Sequence, residues 1–176
     1  VKVLQGQQDA IVFAEHEYES GFDGGALDFD ILTNVDLSVT ISNIDKSWIK
    51  QVNTRGLETK NLYFDISKSY IEEDREGKIT ITGGDVEQSV IVRQKGIKEI
   101  VEKERAALIA FYNATGGDNW NNNENWCSDK PIDEWYGVGV SYGQISEINL
   151  SGNNLTGEVT DELDSLQNLY YLQLDG

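Results

Sequence analysis

The sequence has few of the residues that form cross-links, metal clusters and catalytic units, since it contains one cysteine and one histidine. Cys127 has no second thiol to pair with, which excludes an intrachain disulfide and a cysteine-based metal cluster. A Ser-His-Asp or Cys-His unit would have to use His16, which lies on a predicted edge strand. No segment presents a recognisable pair of carboxylates for glycoside hydrolysis. The sequence therefore predicts no catalytic residues, no enzyme activity and no cofactor.

One acidic and amide-rich segment superficially resembles a calcium-binding loop. Its oxygen-bearing residues are Asp118, Asn119, Asn121, Asn123 and Glu124. The EF-hand spacing fails because Trp120 occupies the third position and no loop glycine follows. We therefore expect no bound metal.

Long apolar runs are also missing, and basic residues are few. No segment approaches the roughly 20 apolar residues of a membrane-spanning helix, so no membrane span is expected. Lysine and arginine number 14 against 31 acidic residues, which gives a net charge of −17. Such a charge repels phosphate backbones, so nucleic acid is not expected as a partner.

Residues 1–96 show the two-residue periodicity of β-strands. Apolar and polar residues alternate over 27–31, 35–41, 62–66, 79–81 and 90–92, with turn residues between these runs. With segments near 11–20 and 48–52 added, about seven strands are predicted. This number and spacing are typical of an immunoglobulin-like β-sandwich, which we predict as the first domain, residues 1–96.

The periodicity changes to that of a helix at the start of the second predicted domain, residues 97–176. Apolar residues recur at helical spacing from Ile97 to Tyr112, and Glu104 is the only polar residue on this stripe. Gly116 and Gly117 follow shortly after it. An amphipathic helix is therefore predicted over 97–113.

The end of the chain contains an internal repeat. The residues that recur with a spacing of 24 are Ile145, Ile148 and Leu150, then Leu169, Leu172 and Leu174. This spacing is typical of leucine-rich repeats, in which each coil is buried only by its neighbours. Because roughly three or more coils are needed for stability, we expect a truncated array that belongs to a longer protein. Its open edge could promote self-association.

The repeat also predicts which side chains face outward. In such coils the leucine positions point into the core, and their neighbours form the concave face. These neighbours are Glu147, Asn149 and Ser151 in the first coil and Tyr171, Gln173 and Asp175 in the second. They could bind a protein or a glycan, or they could be ordinary solvated positions. The amide of Asn153 is expected to cap backbone groups in the turn.

Residues 8–96 contain an ordered set of short motifs. They are the Gly24-Gly25 turn, Thr33-Asn34, Ser47-Trp48-Ile49, Arg75, the segment 77–81 and the closing segment 92–96. This set resembles the BACON family, a small β-sandwich found near the N termini of many Bacteroidetes surface proteins. The resemblance implies either a spacer or a domain that binds carbohydrate or mucin. We favour the spacer.

Residues 103–144 resemble the N-terminal cap of bacterial leucine-rich repeat proteins. The matching segments are 104–108, 112–120, 125–126 and 135–138, and they lead into a segment at 150–157 that is similar to the plant-type repeat. Plant caps often carry paired cysteines, whereas Cys127 is alone. The cap must therefore rely on packed aromatic residues.

Exposed aromatic rings can stack on sugars, and the chain contains four tryptophans. We expect Trp48 to pack in the sandwich core and Trp120, Trp126 and Trp135 to pack in the cap. Tyr63 and Tyr70 are the candidates for carbohydrate stacking. Tyr63 lies on the strand face opposite Leu62 and Phe64, and Tyr70 lies in a turn.

These resemblances imply a non-enzymatic binding or adhesion protein at the surface of a Bacteroidetes-type bacterium, extracellular and attached as an outer-membrane lipoprotein through an anchor upstream of Val1. The leucine-rich repeats would bind a protein or glycan, with the sandwich as spacer. One alternative makes the sandwich itself the carbohydrate- or mucin-binding module. Another makes the chain an accessory N-terminal region of a larger surface enzyme.

Overall fold

The computed structural model describes residues 8–52, 60–159 and 161–175. The chain divides into two compact units. The first contains Val1–Ser69 and Glu73–Gly96, and the second contains Tyr70–Glu72 and Ile97–Gly176. The protein is mostly β, with three sheets and one α-helix.

The first unit consists of two four-stranded sheets, of which one is antiparallel and the other is mixed. Its strands are β1 (Ile11–Val12), β2 (Glu17–Ser20), β3 (Gly25–Thr33), β4 (Ser38–Ile41), β5 (Ile49–Val52), β6 (Lys60–Ile66), β7 (Arg75–Gly83) and β8 (Val86–Gln94). One sheet has the order β1-β3-β6-β5 and the other β2-β8-β7-β4. These orders correspond to the ABED and CFG sheets of immunoglobulin-like domains, with β2 added to the second sheet.

The segment 11–20, predicted as one strand, forms two strands that belong to different sheets. β1 pairs antiparallel with β3, whereas β2 pairs parallel with β8. The chain crosses between the sheets in the intervening residues, so each sheet gains one edge strand. The described part of the first unit therefore contains eight strands instead of about seven.

The inward residues of both sheets form one core. Ile79 and Ile81 on β7 and Val92 on β8 are fully buried. Trp48 is 4% exposed, and the guanidinium of Arg75 lies 4.3 Å from its ring centroid. The prediction that Trp48 packs in the core is confirmed. Gly77 is required here because a Cβ would lie 2.8 Å from the Trp48 ring.

The second unit contains α1 (Lys98–Ala114) and a three-stranded sheet. Its strands are β9 (Val138–Ser141), β10 (Gln144–Asn149) and β11 (Tyr171–Gln173), in the order β11-β10-β9. Short 3-10 turns lie at Gly117–Asn119, Ile132–Glu134 and Asp161–Ser165. The sequence predicted the helix over 97–113. The backbone leaves the helix at Thr115 and turns at Gly116, whose φ of 68° favours glycine.

A cluster of aromatic rings fills the core between α1 and the sheet. Trp126 lies at its centre, with ring centroids 4.9 Å from Trp120, 5.2 Å from Trp135 and 6.0 Å from Tyr112. Each indole N–H donates to a backbone carbonyl oxygen, so these buried polar groups are satisfied. The predicted packing role of Trp120, Trp126 and Trp135 is confirmed.

β10 and β11 are parallel and pair residues that are 24 apart in sequence. Ile148 pairs with Leu172, between the pairs formed by Glu147 with Tyr171 and by Asn149 with Gln173. Burial decreases across this pair, since Ile148 is 0% exposed and Leu172 is 45% exposed. The apolar core is therefore complete under β10 and thinner under β11.

Asn153 is buried and bonds the backbone of Asn122 with both ends of its amide. Its Oδ1 accepts from the Asn122 N–H at 2.7 Å, and its Nδ2 donates to the Asn122 carbonyl oxygen at 2.8 Å. The prediction that this amide caps backbone groups is confirmed, but the capped groups belong to Asn122, 31 residues away, and not to the turn that contains Asn153. No helix in the described residues is both long enough and apolar enough to span a bilayer.

Candidate functional site

The six outward residues predicted from the repeat lie side by side on β10, β11 and the residues that follow them. We call this set the β10–β11 surface. The parallel register places Glu147 beside Tyr171 and Asn149 beside Gln173. The pairing continues past the strands, because the Gly152 N–H donates to the Asp175 carbonyl oxygen at 2.7 Å. The six residues of this surface therefore form two parallel rows of three.

Hydrogen bonds connect five of these six side chains. The Ser151 hydroxyl lies 3.1 Å from both Asn149 Oδ1 and Asp175 Oδ1, although its single proton serves one acceptor at a time. The Tyr171 hydroxyl donates to Gln173 Oε1. Hydrogen bonds from the Gln173 side chain, then from Ser151, hold the pKa of Asp175 below its ordinary value. The network is therefore preorganised and keeps Asp175 ionised.

Glu147 lies at the edge of this network, next to a position without a side chain. A Cβ built on Gly139 of β9 would lie 3.0 Å from the Cβ of Glu147. Tyr171 beside it remains 39% exposed. Glu147 and Asp175 provide acceptors, and Tyr171 provides a ring face. This combination suits a polar ligand that donates hydrogen bonds and presents a flat or basic group.

The two tyrosines proposed for carbohydrate stacking lie in different units. Tyr63 is half-buried on β6, between Asp28 of β3 and Val52 of β5, and its hydroxyl lies 3.4 Å from Asn61 Nδ2. Tyr70 belongs to the second unit rather than the sandwich, and its ring lies 5.1 Å from that of Tyr142. The structure therefore does not bring Tyr63 and Tyr70 together on one sandwich platform.

A cleft on the first unit, which sequence reasoning did not identify, has a volume of about 390 Å³. We call it the sandwich cleft. It is lined by residues 19–21, 74–76 and 93–95. Arg75 and the segment 92–96 had a signal in the sequence, because they carry the family resemblance. Their convergence in one cleft depends on the pairing of β7 with β8 and of β2 with β8.

The basic groups of the sandwich cleft are bonded to groups within the same unit. Arg93 donates to Glu17 at 2.8 Å and to Glu76 at 3.0 Å. Hydrogen bonding by Arg93 holds the pKa of Glu17 below its ordinary value, and that by Lys95 does the same for Asp74. These exposed pairs each contribute little to stability.

Buried Gln94 joins two loops and strand β7 beneath the cleft. Its Nε2 lies within 3.3 Å of the carbonyl oxygens of Gly21, Phe22 and Ser67, and its Oε1 accepts from Arg75 Nε at 2.8 Å. The cleft floor therefore has fixed polar groups that are already paired inside the protein.

The residues considered for catalysis and metal binding have structural contacts. His16 and Cys127 lie in different units. The His16 ring packs 4.5 Å from Phe13. Asp118 accepts from the Tyr112 hydroxyl at 2.9 Å. Within the described ranges, no group of three or more histidine, cysteine, aspartate or glutamate residues is arranged to hold a metal ion.

Comparison with solved structures finds similar folds at low sequence identity. A Bacteroides ovatus GH5 xyloglucanase in complex with a XXXG heptasaccharide is 16% identical, with a TM-score of 0.43, over 49% of this chain and 19% of that chain. A protein from Bacteroides thetaiotaomicron solved by NMR is 14% identical, with a TM-score of 0.35, over 55% of this chain and 95% of that chain. The M1 domain from titin is 14% identical, with a TM-score of 0.33, over 48% of this chain and 92% of that chain.

Comparison with protein families places a match in the first unit. No curated protein matches the chain significantly. Residues 36–95 match the model of the BACON family, which is described as "Putative binding domain, N-terminal".

Proposed function

We propose that this chain is a non-enzymatic binding module in which the β10–β11 surface binds a protein or glycan. In this proposal the second unit is the capped start of a leucine-rich repeat array. The observation that carries the proposal is the parallel pairing of residues 24 apart, which aligns six polar side chains in two rows. A ligand would span both coils.

The packing beneath this surface supports the proposal. Ile145, Ile148 and Leu150 are fully buried, and the aromatic cluster with α1 covers their other side. A rigid support of this kind reduces the conformational entropy that binding residues lose on ligand binding. Asn149 and Gln173 of the polar network therefore lie on strands of this sheet, and Ser151 and Asp175 lie in the residues that follow those strands.

In the same proposal the sandwich is a spacer. Its cleft side chains Arg93, Lys95 and Arg75 are bonded to groups of their own unit, so a ligand would have to displace existing bonds. One observation favours the alternative that the sandwich binds carbohydrate or mucin. Most of the cleft lies within residues 36–95, which match a family described as a binding domain.

We further propose that the protein is extracellular, as a lipid-anchored adhesion protein at a bacterial cell surface. The family match and the charge of −17, which disfavours nucleic acid, support this placement. A whole-cell protease accessibility assay tests it. The remaining alternative is that this chain is an accessory N-terminal region of a larger surface enzyme.

A binding screen tests the function. The protein is screened against a glycan array that includes mucin O-glycans and against a phage-displayed peptide library. The triple variant Glu147→Ala/Tyr171→Ala/Asp175→Ala should lose selective binding by about tenfold or more, as expected for loss of contacts worth about 1.4 kcal/mol. The matched control, Glu76→Ala/Arg93→Ala in the sandwich cleft, should bind like the native protein.

The two variants distinguish the alternatives. Loss of binding only in the Glu76→Ala/Arg93→Ala variant would transfer the function to the sandwich and reject the spacer proposal. Equal binding by the native protein and both variants would reject both surfaces. Circular dichroism of each variant excludes unfolding as the cause.

A further inference from the structure

A second cleft lies within the second unit, between α1, the turn before β9 and the β9–β10 hairpin. It has a volume of about 230 Å³, and we call it the α1 cleft. Its walls combine apolar side chains, among them Val101, Ile132 and Val140, with the carboxylates of Glu72, Glu104 and Asp133. It is separate from the six residues of the β10–β11 surface.

Glu104 is the polar exception on the apolar stripe of α1, and it lines this cleft. The residue is 2% exposed, and its Oε2 accepts from the Ile145 N–H at 2.9 Å. A buried carboxylate is unfavourable unless hydrogen bonds or an opposite charge compensate it. One backbone hydrogen bond compensates only part of that loss of hydration.

Arg105, the basic residue in the cleft lining, is held by other groups. Its Nη1 donates to the Ser128 carbonyl oxygen and its Nη2 to the Lys130 carbonyl oxygen, both at 2.9 Å. The guanidinium carbon also lies 5.1 Å from the Trp135 ring centroid. No ion pair joins Arg105 to Glu104 among the residues described. The lining therefore has three carboxylates and one guanidinium bound elsewhere.

Two exposed tyrosines lie next to the cleft. Tyr142 is 71% exposed and Tyr70 is 48% exposed, and their ring centroids are 5.1 Å apart. Tyr142 adjoins Gly143, which lines the cleft, and a Cβ on Gly143 would lie 3.0 Å from the Tyr70 carbonyl oxygen. The segment of Tyr70 is fixed in the unit because the Ile97 N–H donates to the Ile71 carbonyl oxygen at 2.9 Å.

The backbone at Tyr142 is unfavourable for an aromatic residue. Tyr142 and Gly143 form the two-residue hairpin loop, with φ of 52° and 75°. Positive φ at both positions is typical of a type I′ turn, which favours Asn-Gly. An exposed tyrosine at the first position neither suits the turn nor packs in the core, so turn formation does not explain it.

We propose that the α1 cleft binds a basic side chain, lysine or arginine, presented by a partner protein. The apolar stem would pack along Val101, Ile132 and Val140, as such stems do on apolar surfaces. The charged end would pair with Glu104, and the Tyr70–Tyr142 pair would contact it or its neighbour at the entrance. This second site goes beyond the β10–β11 surface and does not require that surface to bind a ligand.

An NMR titration tests this site directly. The probe is N-acetyl-lysine methylamide, and its neutral counterpart carries an acetylated ε-amine. The free-amine probe should give saturable shifts of the Gly143 and Ile145 amide signals, and the acetylated probe should not. A glycan probe, N-acetyllactosamine, is the third arm.

Three variants sharpen the test. Glu104→Gln keeps an acceptor for the Ile145 N–H but removes the charge, and should weaken lysine binding about tenfold. Tyr142→Asn keeps the turn and removes the ring, with an expected loss of about two- to fivefold. Glu99→Gln, at an exposed position of α1 outside the cleft, should bind as the native protein does.

Several results would overturn the proposal. These are the absence of saturable shifts with the free-amine probe, equal response to the acetylated probe, or unchanged affinity in the folded Glu104→Gln variant. If N-acetyllactosamine bound more tightly than the free-amine probe at the Gly143 and Ile145 amides, the cleft would be a glycan site and not a site for a basic side chain.

Discussion

The two units bury their apolar residues in different ways. In the sandwich, two sheets cover each other, and residues from both are fully buried, such as Ile66 and Ile79. In the second unit, one sheet is covered by α1 and the aromatic cluster. Its burial falls from 0% exposure at Ile148 to 45% at Leu172. The sandwich core is therefore closed by its own strands, whereas the other core becomes thinner towards β11.

The exposed polar side chains of the two units also differ in how they are bonded. On the sandwich, Arg93 and Lys95 pair with carboxylates of their own unit. On β10 and β11, Ser151, Gln173 and Asp175 form a network at an exposed surface. Because side chains are bonded to one another on both surfaces, the difference that leads us to propose ligand binding for the second unit is the aligned register of β10 and β11 and the exposed ring of Tyr171.

The largest expected effect is the loss of stability of one unit, without the other, when a buried tryptophan of its core is truncated. Trp135→Ala should destabilise the second unit by about 3–5 kcal/mol, because it removes a buried ring from the aromatic cluster. Trp48→Ala should destabilise the first unit by about the same amount. Urea unfolding followed by NMR signals of Ile148 and Ile79 measures each unit. A single variant that lowers both midpoints equally would contradict separate cores.

The next effect compares paired positions of the parallel strands β10 and β11. Ile148→Ala should destabilise the second unit by about 2–5 kcal/mol, because the side chain is fully buried. Leu172→Ala should destabilise it by less than about 1.5 kcal/mol, because Leu172 is already half exposed. The urea midpoint of the Leu150 amide signal provides the measurement. Equal losses would show that β10 and β11 are equally packed.

A smaller effect tests the hydrogen bonds beneath the sandwich cleft. Gln94→Ala should destabilise the first unit by about 1–3 kcal/mol, because it removes a buried amide that bonds Gly21 and Ser67 and takes away the acceptor of Arg75 Nε. Gln51→Ala, at an exposed position of β5, is the matched control and should change stability by less than about 0.5 kcal/mol. Similar values for both variants would contradict a structural role for Gln94.

The smallest effect is a difference in pH dependence. Burial raises the pKa of Glu104, partly opposed by its hydrogen bond from Ile145. The folded state therefore keeps this proton at pH values where the unfolded chain has lost it. The stability of the second unit should then decrease as the pH rises from the ordinary value of 4.5 through the raised pKa. Glu104→Gln should remove this decrease.

The first unit should respond in the opposite direction. Hydrogen bonding by Lys95 lowers the pKa of Asp74 from its ordinary value of 3.8. The stability that this carboxylate contributes is present above that value and is lost as the pH falls through the lowered pKa. Urea midpoints of the Ile79 and Ile148 signals between pH 3 and pH 8 measure both trends. Because Asp175 of the second unit also has a lowered pKa, the two units should differ above pH 4.5, and parallel profiles in that range would contradict this difference.

Local periodicity predicted much of the fold. The alternation at 62–66 and 79–81 lies on β6 and β7, and the apolar stripe from Ile97 lies on α1. The spacing of 24 between Ile148 and Leu172 is the register of the parallel pair. These features depend on neighbouring residues or on an internal repeat, which a sequence displays directly.

Features that depend on contacts distant in sequence were not predictable in this way. The division of 11–20 into β1 and β2 follows from pairing with β3 and β8. Tyr70 joins the second unit because its segment is bonded to the start of α1, through Ile71 and Ile97. The sandwich cleft and the α1 cleft likewise combine separate segments, so no single motif predicts them.

The adjacent amides of Asn149 and Leu150 provide the most direct test of a core that thins towards β11. The Asn149 N–H donates to the Gly137 carbonyl oxygen on the β9 side, whereas the Leu150 N–H donates to the Gln173 carbonyl oxygen of β11. Residue-resolved hydrogen exchange should show slow exchange at Asn149 and faster exchange at Leu150, because β11 opens more readily. Equally slow exchange at both amides in a demonstrated monomer would contradict the account.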